Sequence, residues 1–551
     1  MSLKHFIKED KINSDDLNLC RINTRLSLRK KNYDKIINNK RKLFSEIETL
    51  FPKDDFSSEL PNNLMNINLF KILQNEQMLQ IIMKIKGKFF DEDLTEVLQL
   101  VFSLDFNMNQ NLVDTVNFIN DKNIYIFLVD LLEQIIIKSQ DNTNYNANNY
   151  PQIIFKILQI LFKYSYSSDK ENNDKLIEYI NYKIYIFLNL FSYICNNQNV
   201  IKKTDIFLYL LNILFNLSIE SNNLLNNLEK NKIPQKVVSI INDRKLNLKI
   251  NDKNIYCVIK FLSLYLLDQK LINYDENYIK EIFIILNEKG ITSSNEKVQN
   301  LSLYCLCNIT SLYNSNNFYK KIICSNIFNN ILQYIKKSTN INSIIVSLKI
   351  VNNILTEKNI DLNYFIKSDL LLCLMKLVIN YKKNKIYISP DLLHHIISIF
   401  LYLLKSPLFY ALIDKNYKLI HILIEFIGKI STQVTHDILT FIRSVINESY
   451  SISQLLIFNN KDLISKLIYL IRDESYNEKI RILALIILGK IFQYNNENDE
   501  NMDDESNEDI NLNIYKEQLK EIIELDLLNK NNINETLRKT FEIVLNIINE
   551  K

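Results

Sequence analysis

The chain has 551 residues, 47% of them hydrophobic, a formal net charge of +3, four Gly, six Pro and no Trp. That length exceeds one ordinary core, the apolar content excludes an unfolded polyelectrolyte, and the near-balanced charge excludes a chain-wide field for nucleic acid, so charge recognition must come from local clusters. The scarcity of Gly and Pro argues against phosphate-cradling Gly loops and a hairpin-rich fold, both of which need φ > 0 positions, and points to long helices broken at Asn.

The first element is basic and lacks Gly and Pro: "RINTRLSLRKKNYDKIINNKRKLF", Arg21 to Phe44. It sets Leu26, Leu28, Tyr33, Ile36 and Ile37 among cations, as an amphipathic basic helix does. The opening "MSLKHFIKEDK" has no apolar stretch of the kind a secretory leader needs. An acidic partner surface is the natural complement of residues 1–60, which we take as a segment separate from 61–551.

The elements that follow are helical and share one shape. "VLQLVFSLDFN" (97–107) and "FKILQILFK" (155–163) come first, then "NILFNLSIE" (212–220), "FLSLYLLDQ" (261–269), "YCLCNITSL" (304–312) and "KIVNNILTE" (349–357). "SIFLYLLKS" (398–406), "RSVINESYS" (443–451), "IILGKIFQY" (486–494) and "TFEIVLNIINE" (540–550) complete the series. Their fifth positions recur every ~45 residues, the period of armadillo and HEAT arrays, and predict about ten repeats. The expected fold is all-α, a right-handed armadillo-repeat superhelical solenoid over 61–551 behind the basic segment. Residues four apart share a helix face, so each first/fifth pair predicts one rung of a ladder along a concave groove. The acidic, Asn-rich run "NNENDENMDDESNED" (495–509) has no apolar face and reads as a disordered loop between the last repeats.

Signals for chemistry are sparse. Seven Cys, an odd number without CxxC spacing, fit buried reduced thiols of an intracellular protein. His394 and His395 are adjacent, so on a helix they diverge by about 100° and suit one core and one boundary position better than a chelate. No metal site, cofactor or enzymatic activity is expected. The apolar stretch 392–413 contains both His, Lys405 and Pro407, and reads as buried helices and not as a membrane span.

The order of "HFIKED" (5–10), Arg21, "LRKK" (28–31) and "NKRK" (39–42), followed by ten repeats, resembles the importin alpha family of nuclear import adaptors. Its N-terminal segment reads approximately R-F-K-N, an Arg cluster, L-R-K and K-R-R; the Arg cluster is here a single Arg21. "LKIVNNI", with Lys349 and Asn353, matches the family's basic sixth repeat. The resemblance implies that Arg21, Arg25, Arg29, Lys30, Lys31, Lys40, Arg41 and Lys42 bind importin beta and, folded back, compete with cargo. It implies a cargo groove for basic nuclear localisation signals at Phe155, Gln159, Asn212, Asn216, Glu220, Phe261, Tyr265, Tyr304, Asn308 and Asn353, with Glu220 pairing a cargo Lys. The family grips peptides with Trp–Asn pairs; with no Trp here, Phe155, Phe261 and Tyr304 are the aromatic faces left to stack on cationic stems. The second site, Ser398/Tyr402 and Arg443/Asn447, includes a cation that repels a basic peptide. The implied partners are importin beta, cargo proteins and an export receptor, in cytoplasm and nucleus, without direct nucleic-acid binding or membrane insertion. An armadillo scaffold that binds some other partner stands as the alternative.

Overall fold

The computed structural model describes residues 73–87, 94–140, 150–167, 170–196, 203–243, 251–266, 275–312, 326–356, 360–384, 389–415, 418–448, 461–499, 512–529 and 534–549. The basic segment 1–60, with every cation assigned to importin beta above, lies outside them, as do Cys20 and Cys324. The described residues hold helices and no strand, and divide into an N-terminal unit ending at Leu312 and a C-terminal unit beginning beyond it.

The N-terminal unit runs α1 (Asn75–Gly87), α2 (Leu94–Gln110), α3 (Leu112–Asp121), α4 (Ile124–Gln140), α5 (Tyr150–Ser167), α6 (Lys170–Tyr182), α7 (Ile184–Asn196) and α8 (Lys203–Glu220). It continues with α9 (Asn222–Lys230), α10 (Ile233–Asn242), α11 (Asp252–Leu266), α12 (Glu276–Ile284), which passes into a π-helical stretch (Ile285–Ile291), and α13 (Glu296–Leu312). The C-terminal unit holds α14 (Ile327–Lys337), α15 (Ile341–Leu355), α16 (Leu362–Lys367), α17 (Leu370–Asn384), α18 (Pro390–Leu403) and α19 (Pro407–Lys415). Its remaining helices are α20 (Lys418–Phe426), α21 (Thr432–Glu448), α22 (Lys461–Arg472), α23 (Glu478–Asp499), α24 (Leu512–Asn529) and α25 (Glu535–Asn549).

The grouping is a short first helix, a second and a long third, as in α3–α4–α5 or α16–α17–α18. Third helices pack on one another in order: α2, α5, α8, α11 and α13 in the N-terminal unit, and α15, α18, α21, α23 and α25 in the C-terminal unit. Every periodic segment picked out of the sequence begins on one of these ten helices, from 97–107 on α2 to 540–550 on α25, though 261–269, 349–357, 398–406, 443–451 and 540–550 run past the last helical residue. Each unit is thus an all-α repeat stack of the armadillo type. No single repeat buries its own apolar face, and stacking supplies the cover. Phe187, Phe191, Phe207, Phe261, Phe328, Phe365, Phe400, Phe441 and Phe492 are among the large side chains sealed inside.

Asn marks the breaks, as the composition suggested. Asn123 and Asn326 adopt φ of 50° and 65°, and Asn111 and Asn340 cap α3 and α15 through their side chains. Lys232, at φ 56°, departs from that pattern. Gly290, in the π-helical stretch, lies so close to α13 that a Cβ there would sit 2.2 Å from Ser302 Oγ. The stretch 392–413 is split between α18 and α19 by a turn, and no described helix is long and apolar enough to cross a membrane. α23 continues to Asp499, so 495–499 is helix, and the rest of the acidic run 495–509 lies outside the described residues. Helical hydrogen bonding there outlasts the apolar face by which the segment was read.

Candidate functional site

In the N-terminal unit, the least covered side of α5 carries residues 152, 156, 159, 163 and 166, spaced three or four apart as one helix face requires. Lys156 and Lys163 both turn back onto Asp105 of α2, at 2.7 Å and 2.6 Å. Lys156 also donates to Gln159 Oε1 at 3.0 Å, and Lys163 to Asn109 Oδ1 at 2.6 Å. The carboxylate is 4% exposed and Lys156 equally buried. Two cations therefore share one buried anion, and the rings of Phe102 and Phe155 lie 5.3 Å and 5.8 Å from the Lys156 ammonium.

The aromatic faces expected to line the groove lie inside. Phe155 is 4% exposed and meets Tyr209 of α8 edge-on at 5.4 Å. Phe261 is fully buried against Tyr265, which is itself 4% exposed. The adjacent Lys is buried as well, 4% exposed for Lys156 and 7% for Lys260. Lys260 Nζ lies 4.2 Å from the Phe215 ring centroid, and Lys156 faces α2 as described. Neighbouring helix positions differ by about 100°, so the Phe and the Lys are covered by different neighbours.

The amides are also committed. Asn212 donates to Leu208 O of its own helix at 2.9 Å, and Asn216 to Ser165 Oγ of α5 at 3.4 Å. Asn308 of α13 donates to the Leu266 carbonyl at the end of α11, and Tyr304 beside it is half-buried. Glu220 ends α8, and its side chain lies outside the described residues, so its pairing role rests on the sequence alone.

The C-terminal unit adds a polar chain that the sequence reading missed. Asn352 of α15 donates to His395 Nδ1 at 3.2 Å and to His395 O at 3.3 Å. Accepting at Nδ1 assigns the ring proton to Nε2. Burial, with repulsion from His394 and Lys349, holds His395 well below the ordinary imidazole range and so neutral. His394 reaches the other way, its Nδ1 2.5 Å from Asp437 Oδ2 of α21. Gln433 donates to the second Asp437 oxygen at 2.9 Å, and His436 stands 3.7 Å from it. Burial alone would raise the Asp437 carboxyl; the hydrogen bond from His394 and the nearness of His394 and His436 outweigh it and hold it below the usual range. The adjacent His pair thus joins three successive third helices, one ring backward and one forward. The sequence signal was there: four of the five His fall within 394–436.

Further along the same face, Lys349, Asn353, Ser398, Tyr402, Arg443, Asn447 and Lys490 take matching positions on α15, α18, α21 and α23. Lys349, Ser398, Arg443, Asn447 and Lys490 are half-buried, while Asn353 and Tyr402 are 9% and 7% exposed. A cleft of about 790 Å³ lies between the starts of α21 and α23, lined by Thr432, Gln433, His436, Asn477, Glu478 and Lys479. Among the described residues, no three His, Cys, Asp or Glu are placed to hold a metal. Cys195, Cys257, Cys305, Cys307 and Cys373 are free thiols, and burial pushes Cys305 up to about 12.

No protein-family profile matches the chain, and no curated protein matches it by sequence. Solved structures do. A chain from a study of a phosphorylation switch controlling the interaction between cadherin and beta-catenin aligns over 86% of both chains, with a TM-score of 0.56 and 10% identity. An engineered protein aligns over 86% of this chain and 99% of its own, with a TM-score of 0.50 and 11% identity. A designed armadillo repeat protein in complex with the peptide (KR)4 covers 47% of this chain at a TM-score of 0.35 and 17% identity. At these identities the similarity is one of fold.

Proposed function

We propose that this protein is a non-catalytic scaffold that binds an extended segment of a partner protein along the third-helix faces of its repeats. The observation that supports this is the register. Successive third helices present polar side chains at matching positions, from Lys349 through Ser398 and Arg443 to Lys490, without sealing them into the core. Stacked helices stand about 8–10 Å apart and an extended chain advances about 3.3 Å per residue, so each rung meets roughly one partner side chain in three. The test is photo-crosslinking of the full-length protein to a library of extended peptides, with attachment sites mapped by mass spectrometry. Crosslinks gathered on α15, α18, α21 and α23 support the scaffold; crosslinks scattered over the second helices, or none, defeat it.

A second reading, the nuclear import adaptor, is favoured by the motif order of residues 5–44. In it, Arg29, Lys30, Lys40 and Arg41 bind importin beta, basic cargo fills the groove at Glu220 and its neighbours, and the protein moves between cytoplasm and nucleus with an export receptor. The lysines on the described faces weigh against basic cargo. A pull-down with importin beta, comparing the full chain with one starting near residue 60, decides it: equal capture of both removes the adaptor reading.

A further inference from the structure

We propose that the outward face of α24 takes the basic segment 21–44 of a second copy of this chain, bound as an antiparallel amphipathic helix. This goes beyond the scaffold reading and does not rest on it. Ile514 and Leu525 of α24 are 52% and 51% exposed. They stand eleven positions apart, which on a helix brings them within about 20° of one another and about 16 Å apart along the axis. Glu517, Gln518, Glu521 and Glu524 lie between them on the same side, all exposed. The carboxylates of Glu517, Glu521 and Glu524 make no ion pair or hydrogen bond among the described residues.

The other charged side chains of α24 turn away from this face. Lys516 lies 5.9 Å from the Phe492 ring of α23, and Lys520 donates to Asn549 Oδ1 of α25 at 3.4 Å. Asp526 accepts from Arg481 of α23. What is left outward is an apolar side chain at each end and an acidic flank between. Glu517 and Glu521 are one turn apart, where like charges disfavour a helix, and a cationic partner relieves that repulsion.

The sequence contains the complement. Leu26 and Ile37 are also eleven apart, with Arg29, Lys30 and Tyr33 between them. In an antiparallel pairing that sets Leu26 on Leu525 and Ile37 on Ile514, Lys30 comes level with Glu521, and Arg29 falls between Glu521 and Glu524. The segment precedes the first repeat and α24 belongs to the last, so each copy carries the two halves of the contact at opposite ends of its sequence. Copies then join head to tail. A contact this small, carried by exposed charges, gives weak association that salt screens.

The experiment is sedimentation velocity of the full-length protein over a concentration series. The protein should self-associate reversibly in low salt and dissociate in high salt. The double variant Arg29→Glu, Lys30→Glu and the double variant Glu521→Lys, Glu524→Lys should each weaken self-association at least tenfold. Lys337→Glu on α14 should leave it unchanged. An equimolar mixture of the two double variants should restore it, because each altered half then meets the opposite charge on the other chain. Glu521→Gln alone, with an expected threefold loss, serves if circular dichroism shows a double variant unfolded. A monomer at every concentration, self-association that the double variants leave intact, or variants that mixing does not rescue overturns the proposal. Hydrogen-exchange protection of α24 that Arg29→Glu, Lys30→Glu removes equally at every concentration puts the segment on its own chain, and overturns the second-copy assignment.

Discussion

The two units place lysines on equivalent helices and use them differently. In the N-terminal unit Lys156 and Lys163 close around Asp105, and Lys260 lies against Phe215. Those cations hold neighbouring helices together. In the C-terminal unit Lys349, Arg443 and Lys490 stay half-exposed, and the carboxylate on the face is occupied by histidine and glutamine. The same charge at equivalent positions of stacked helices is therefore buried in one unit and half-exposed in the other.

The largest expected effect breaks the N-terminal side of this contrast. Asp105→Ala leaves the buried Lys156 and the half-buried Lys163 ammonium groups without their shared anion, and should destabilise by about 3–5 kcal/mol in chemical denaturation. Adding Lys156→Met and Lys163→Met should recover most of the loss; if it does not, the cluster is not held by charge pairing. Gly290→Ala comes next. Its Cβ meets Ser302 Oγ, so the π-helical stretch and α13 must separate, at a cost of about 1–3 kcal/mol. Ser302→Gly in the same chain should relieve that cost, and persistence of the full effect would place it elsewhere.

Acid should separate the units. His395 has its folded value held far below that of the unfolded imidazole, so its contribution is present above about pH 6.5 and fades as pH falls. Asp437 is likewise depressed, and its contribution is lost as pH drops through the folded carboxyl's range. All described histidines lie in the C-terminal unit. Hydrogen exchange at pH 5 against pH 7 should show protection falling on α15, α18 and α21 before α5 and α8, by up to about 1.4 kcal/mol per pH unit for each group. His395→Asn should flatten that slope, and equal loss in both units would contradict the assignment. The smallest effect is the Lys260–Phe215 coupling, about 1 kcal/mol by a double-mutant cycle with Lys260→Met and Phe215→Leu.

The repeat architecture was legible because a period near 45 residues survives even where no single motif is strong. Every proposed rung landed on a third helix. The rotation of individual rungs was not legible. Phe155 and Lys156, or Lys260 and Phe261, are both compatible with a helix facing the groove, and only the packing shows that all four are covered, Phe155 against Tyr209 and Phe261 against Tyr265. The partners of the Asn amides were not legible for a related reason. A sequence shows a donor, but not that the carbonyl ending the neighbouring helix is within its reach, as Leu266 O is for Asn308. The His394–Asp437 contact joins residues a full repeat apart, and becomes predictable only once the stacking register is known.

Those amide contacts have a mechanical consequence. Asn308 to Leu266 O and Asn352 to His395 O tie consecutive coils by side chains, not by a continuous backbone ladder. A side-chain tie has torsional slack that main-chain pairing lacks, so within either unit the stack should yield as a series of soft springs. Under tension, such as that applied by optical tweezers, it should lengthen by small reversible steps before any helix unwinds.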